Sequence, residues 1–361
     1  MKLTKSLFLA FAGLGLFACS NEDVATDATV DGGKSKTMVI SLNGISEGSR
    51  AVSEAESAGK VNLTSVAIFY TDGNGKVGHV TELSSSDDEA WNNLIGENGY
   101  VEHSLPASIE KVYVVGNYGA LLGKLNEIGD ASTLNEKVIN AAAQQDFDNV
   151  LLYGADTDGL ETVEAGDGQH DENVVKAVLK ISPLVSRLEV SNIQCTDLGN
   201  QYSSVVLKKI GLANFYTSTS VDGLTVTNLQ GPADSFENQE KIWTNNAWAA
   251  DAINATLNNT TPWNPEGGVF SYNIIPNAGE ANAELQVRLY VDAKRGNVVS
   301  PFANTVIGKV NTTLEAGKIY RMTYQFKEEN IGPWQPGNTQ CVIVKVEVAN
   351  WDIVPLTPSF E

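Results

Sequence analysis

The feature that most limits what this chain can fold into is a recurring period-two alternation, in short runs closed by turn residues. Met38, Ile40 and Leu42 alternate with Val39, Ser41 and Asn43. Val66, Ile68 and Tyr70 repeat the pattern, and Asp72-Gly73-Asn74-Gly75 then turns the chain as a hairpin would. Val112 to Val115 is a continuous apolar strand that stops at Gly116. Leu285, Val287, Leu289 and Val291 form one clean face, and Tyr320, Met322, Tyr324 and Phe326 form another. Strand side chains point alternately to opposite faces, so such runs ask for half-buried strands in antiparallel sandwiches. Helical signals are few. Thr133-Leu134-Asn135-Glu136 reads as a capping box ahead of Val138, Ile139 and the alanines 141 to 143, and a second helix is expected from Asn246 to Leu257. The fold class is mostly β, with one or two short helices.

The 361 residues leave room for roughly two domains of ordinary size. A polar stretch from Gly166 to Asn173 separates two strand-rich regions, and the run from Val174 to Val190 opens the second. The expected division is an N-terminal β-sandwich over 51–178 and a C-terminal one over 179–361.

The first residues are of a different kind. Lys2 and Lys5 precede an apolar run of twelve residues, Leu7 to Ala18, too short for a bilayer that needs ~20. It closes in Leu16-Phe17-Ala18-Cys19, with a small residue before a cysteine and an aliphatic residue three before it. That is the pattern of a lipoprotein signal peptide over 1–18, in which the sulfur of Cys19 is acylated and the bond before it is cut. The lipid is then the anchor to the outer membrane. Residues 19–36 are rich in Asp, Thr, Ala and Gly, a composition that reads as a flexible tether. The acidic patch after Cys19 resembles the surface-export signal of Bacteroidota lipoproteins.

Composition narrows the function classes. Acidic residues outnumber basic ones 44 to 24, a net charge of −20, and such a surface repels nucleic acid. Only Cys195 and Cys341 lie in the body, so there is no disulfide framework; a single bridge stays open, and two small buried thiols are the favoured expectation. The three histidines, His79, His103 and His170, lack metal-ligand spacing. Asp72, Asn74 and Gly75 look like the start of a calcium loop, but Lys76 and Val77 break it and the hairpin explains the segment. The acidic loop 167–172 is expected to be a solvated linker rather than a cation site. Nucleophile elbows, phosphate-cradling glycine loops and zinc motifs are missing from the sequence, so neither catalytic residues nor a cofactor are expected. Trp243, Trp248 and Trp263, with asparagines between them, leave a surface glycan-binding lipoprotein as a rival.

The two ends carry the most information. Met38, Ile40 and Leu42 mark a strand directly after the tether, and a loop with one arginine, Arg50 before Ala51, follows it. Such a loop suits an arginine-specific or trypsin-like protease, although an ordinary surface arginine would look the same. At the other end Val342, Val344, Val346 and Val348 alternate with Ile343, Lys345 and Glu347, and Trp351 and Ile353 follow. Cutting at Arg50 would remove residues 37–50 and leave a groove with unpaired backbone groups and empty apolar sites. An alternating strand from a neighbouring molecule would fill it. Four buried valines at ~1.5 kcal/mol each give about 6 kcal/mol before ordering costs. Head-to-tail repetition of a non-closing contact makes a filament.

These features together resemble the fimbrillins, the type V pilins of Bacteroidota. The resemblance is carried by the Leu16–Cys19 lipobox, the strand-then-arginine segment 38–51, and Val112 to Asn117. It continues in Ile181 to Val190 with Arg187, Leu314 to Tyr324 around Gly317-Lys318-Ile319-Tyr320, and the ending Cys341 to Val354 with Trp351. It implies two transthyretin-like β-sandwich domains, export as a lipoprotein and cleavage after Arg50. The C-terminal donor strand of one subunit then fills the groove of the next. Its partners would be copies of itself and other fimbrial subunits, anchor and tip. The alternating terminal strand with Arg50 favours a shaft subunit, and the tryptophan-rich excursion 243–263 leaves a tip, accessory or anchor role open. On this model the thiols of Cys195 and Cys341 stay free, because a bridge would staple the donor to its own subunit.

Overall fold

The computed structural model describes residues 35–43, 60–96, 99–146, 149–163, 174–230, 253–266, 268–276, 285–310, 312–333, 341–350 and 352–355. The strands of the first half are β1 (Ser35–Asn43), β2 (Lys60–Leu63), β3 (Ser65–Asp72), β4 (Val77–Ser84), β5 (Tyr100–Pro106) and β6 (Ile109–Gly116). They continue with β7 (Val138–Asn140), β8 (Leu152–Asp156), β9 (Glu161–Val163), β10 (Val174–Lys180) and β11 (Ser182–Pro183). Helix α1 (Asp88–Ile95) lies between β4 and β5, and α2 (Ala131–Asn135) precedes β7. The second half begins with β12 (Ser186–Cys195), β13 (Ser204–Ala213), β14 (Phe215–Ser220), β15 (Val226–Gln230), β16 (Ala255–Leu257), β17 (Phe270–Ile274) and β18 (Gln286–Arg295). It ends with β19 (Val298–Val299), β20 (Thr305–Lys309), β21 (Lys318–Phe326), β22 (Cys341–Ile343), β23 (Lys345–Asn350) and β24 (Asp352–Pro355).

Two β-sandwiches result. In the first, a four-stranded sheet of order β5-β1-β10-β9 packs on a five-stranded sheet of order β11-β8-β6-β3-β4. In the second, the order β17-β12-β21-β23 faces β16-β13-β18-β20-β22, with β19 added beside β18. Among the described residues most ladders are antiparallel, but β1–β10, β12–β21, β20–β22 and β2–β24 run parallel. Each parallel pair joins strands far apart in sequence, because parallel neighbours cannot be linked by a tight turn.

The alternating runs bury the faces expected of them. Leu285, Val287, Leu289 and Val291 are all buried, and so are Tyr320, Met322, Tyr324 and Phe326. Tyr324 reaches across the second sandwich and donates to the carbonyls of Val287 (3.0 Å) and Val306 (3.3 Å). Gly308 makes room for it: a Cβ there would sit 2.6 Å from the tyrosine ring. In the first sandwich the Asp72 carboxylate accepts from the backbone N–H of Asn74 and of Lys76 at 2.9 Å, which fixes the β3–β4 turn as a hairpin.

Helices differ most from expectation. Residues 133–143 are not one helix, because Asp130 supplies the cap by accepting from Thr133 N at 2.7 Å and α2 stops at Asn135. The β-branched Val138 and Ile139 go into β7, which pairs with β14 and so ties the two sandwiches together. Of the helix expected over 246–257, residues 246–252 lie outside the described residues, and Ala255–Leu257 is strand β16 on β13. Helix α1 was not expected; it buries Trp91 and Leu94 against the first sandwich.

Candidate functional site: the channel of the first strand and the C-terminal strands

Strand β1 lies inside its sheet, with a neighbour on each side. It runs parallel to β10, with Met38 opposite Val175 and Asn43 opposite Lys180, and antiparallel to β5, with Ile40 opposite Tyr100. Met38 and Ile40 are fully buried, Leu42 nearly so, and Val39 is buried on the other face beneath the segment leading into β5. That segment closes tightly: Gly99 has φ +74°, and a Cβ there would lie 2.7 Å from Val39 Cγ1 and 2.8 Å from Ile40 O. Helix α1 packs on β1 from outside the sheet. Taking β1 away would leave β5 and β10 facing each other across an open channel, with two rows of unpaired backbone groups and an uncovered apolar floor.

The C-terminal alternation does not form one strand. The chain changes sheets at Val344, which is buried. Before it, Val342 sits in β22, parallel to β20 at the edge of the larger sheet. After it, Val346 and Val348 sit in β23, antiparallel to β21 at the edge of the smaller sheet, opposite Met322 and Tyr320. Val346 is half-buried against the core, while Lys345 and Glu347 point outward. Ile353 lies in β24, which leaves the second sandwich and pairs in parallel with β2 of the first. Residues 341–350 and 352–355 are therefore held at home, but among the described residues each of their strands has a ladder on one side only. Cys19, Arg50, Ala51 and Trp351 lie outside the described residues.

The architecture matches solved structures closely enough to assign the fold. A protein of Bacteroides eggerthii assigned to cell adhesion superposes with a TM-score of 0.57 at 14% identity, covering 90% of this chain and 98% of that one. The fimbrilin of Porphyromonas gingivalis superposes with a TM-score of 0.53 at 14% identity, covering 89% and 98%. This chain has a fimbrillin-like fold. A second protein assigned to cell adhesion, from Parabacteroides distasonis, gives 0.52 at 12% identity over 89% and 98%. No family model and no curated protein matches the sequence.

In this fimbrillin-like chain the last residue of the Val112 to Asn117 patch organises the β2 region, a role that the sequence patterns do not assign to it. Asn117 follows β6 in the left-handed conformation, φ +54°. Its amide donates to the carbonyls of Asn62 (2.6 Å) and Val150 (3.0 Å) and accepts from Thr64 N (2.9 Å) and Thr64 Oγ1 (3.0 Å). Every hydrogen-bonding position of the side chain is filled. The signal was present in the sequence: asparagine after an apolar strand is a common left-handed stop. Glu328 is a second such fastener. Burial pushes its carboxyl up, but backbone N–H groups of Gly199, Tyr202 and Gln201 at 2.6–3.0 Å outweigh that and hold it below the usual carboxylate range. Gln145 and Asn273 bond reciprocally between the sandwiches, Nε2 to O at 2.7 Å and N to Oε1 at 3.0 Å.

The remaining chemistry-bearing residues do not converge. His79 Nε2 lies 3.6 Å from Glu102, and His103 touches Thr37 at 3.5 Å; His170 and the loop 167–172 lie outside the described residues. Among the described residues no three His, Cys, Asp or Glu side chains are placed to share a metal. Cys195 is a free, fully buried thiol whose pKa burial pushes up to about 12. Trp263 is used internally, bridging Ile193 and packing 6.0 Å from Phe270, whereas Trp243 and Trp248 lie outside the described residues.

Proposed function

We propose that this chain is a structural subunit, of the shaft type, in a surface fimbria. It is exported as a lipoprotein acylated at Cys19, cut after Arg50 by an arginine-specific or trypsin-like protease, and polymerised by strand exchange. The observation that carries the reading is the place of β1. It is the first described strand of the chain, yet it sits in the middle of a sheet with Met38, Ile40 and Leu42 buried. A strand so placed leaves a deep channel when cut away. The segment suited to refill it, 341–350, is a terminal one paired along single edges, so it can detach without breaking either sheet. The similarity to a fimbrilin and to proteins assigned to cell adhesion supports the same reading.

The test is a comparison of native and Arg50→Ala chains in cells. The native chain should yield SDS-resistant ladders whose subunits begin at Ala51, and the variant should remain monomeric and keep its lipid. Ladders of normal length from Arg50→Ala would remove the shaft reading in favour of an anchor or accessory role.

A further inference from the structure

On the reading that β1 is cut away, we infer that Glu102 is a positioning residue for the channel left behind. Its carboxylate clasps β5 to β4 across the open side of the first sandwich, and so keeps one wall of the channel in place after that wall has lost its ladder.

Strands β4 and β5 are edge strands of the two sheets, and they meet on the same side of the sandwich. Glu102 lies opposite Met38 in the β5–β1 ladder, so both side chains share the inner face. Thr81 and His79 reach the same space from β4, opposite the buried Ile68 and Tyr70 of β3. One carboxylate oxygen gathers the groups between the edges. Glu102 Oε2 accepts from Thr81 Oγ1 at 2.5 Å and from Tyr100 Oη at 3.1 Å, and it lies 3.6 Å from His79 Nε2. The His79 ring leans on that of Tyr70, with centroids 5.5 Å apart. Burial first, and the Glu102 carboxylate second, push the Tyr100 phenol up to about 12, so it stays a donor. A carboxylate only 16% exposed is costly without partners. With them it gives a directional link from one sheet to the other.

Loss of β1 would affect the two walls unequally. Strand β10 keeps its ladder to β9, and its Val178 N–H donates to the Asp156 carboxylate of β8 at 3.3 Å. Among the described residues, β5 has β1 as its only strand neighbour. The far end of β5 stays tied by the short 107–108 turn into β6, which is itself held between β3 and β8. The near end follows α1 in sequence. Helix α1 packs on β1 as well as on β5, so part of that support goes with the strand. The clasp at Glu102 falls in this less supported half. A wall held at ladder distance does not have to be ordered when a strand arrives, and ordering on binding slows association.

The test uses the full chain cut after Arg50 and diluted until the severed piece leaves, with a labelled peptide of residues 35–43 as the incoming strand. Glu102→Ala removes the acceptor, and Thr81→Val removes a donor on β4, outside the channel. Each should slow association about tenfold and leave dissociation within about twofold, because the bound strand itself holds β5. Glu102→Gln keeps an acceptor oxygen and should restore the native rate. Left uncut, the variants should melt within about 4 °C of the native chain, since β1 then holds the wall. A much larger drop in the uncut chain would make Glu102 a general stabiliser and overturn the clasp. So would faster dissociation with unchanged association, or an association rate that Thr81→Val leaves alone, since Glu102 would then act on the strand and not on the wall. Variants that bind at the native rate while the native chain still polymerises would refute the clasp alone. A native cut chain that takes up no peptide would remove the reading of β1 as an exchangeable strand, and the clasp with it.

Discussion

The channel can be tested by returning its own strand as a peptide. A subunit cut after Arg50 and freed of residues 1–50 should bind a peptide of residues 35–43. Binding should raise its melting temperature and suppress polymerisation, because peptide and donor strand compete for one channel. The side-chain dependence follows from burial. Ile40 is 0% exposed and lies between β5 and β10, so Ile40→Ala should cost about 3 kcal/mol, the middle of the range for buried isoleucine truncation. At 1.4 kcal/mol per decade that is roughly a 100-fold rise in Kd. Ser35 is exposed at the start of the strand, so Ser35→Ala should change Kd by no more than about twofold. Fluorescence anisotropy of a labelled peptide measures both. Equal affinities for the two variants would show that the inward face does not hold the strand, and the reasoning from burial would be refuted.

Two further outcomes test the fasteners. Asn117→Gly keeps the left-handed backbone free of strain and removes four hydrogen bonds, so urea denaturation should show a loss of about 2–4 kcal/mol. A loss below about 1 kcal/mol would mean that water replaces the amide. Glu328 has a folded pKa below its ordinary value, so its stabilisation is present above the unfolded pKa of about 4.3 and disappears as pH falls through the folded value. The melting-temperature gap between the native chain and Glu328→Gln should therefore be widest near neutrality and close in acid; a gap that stays constant would disprove the role.

The strands were legible because period two is a local property: Leu285 to Val291 and Tyr320 to Phe326 declare a buried face whatever they pack against. Sheet order is not local. Val342 to Val348 reads as one strand because alternation says which side is apolar, and it cannot say that the chain changes sheets at Val344. Likewise Met38, Ile40 and Leu42 mark a strand, but only the pairing to β5 on one side and β10 on the other makes its loss leave a channel. Val138 and Ile139 follow a helical cap in sequence but enter a strand, because the partner that draws them there, β14, lies some eighty residues away. Strand β2 carries no such signal because four residues hold too few alternations, and its importance comes from Asn117 and β24.

The arrangement of the ends also explains why exchange would run forward after cleavage and not before. Strand β1 is paired along both sides, while among the described residues β22, β23 and β24 are each paired along one. A donor that leaves its home edges for a vacant channel exchanges single-sided pairing for double-sided pairing, so it gains backbone bonds as well as buried apolar surface. While β1 occupies the channel that gain is unavailable to the donor, because β1 is tethered to the acceptor and competes at a high effective concentration. Cutting the 44–59 connection removes this advantage. On the proposed polymerisation, dilution would disfavour the return of a severed strand once it dissociates, and the terminal strands of the next subunit would find a site that offers more than the edges they leave.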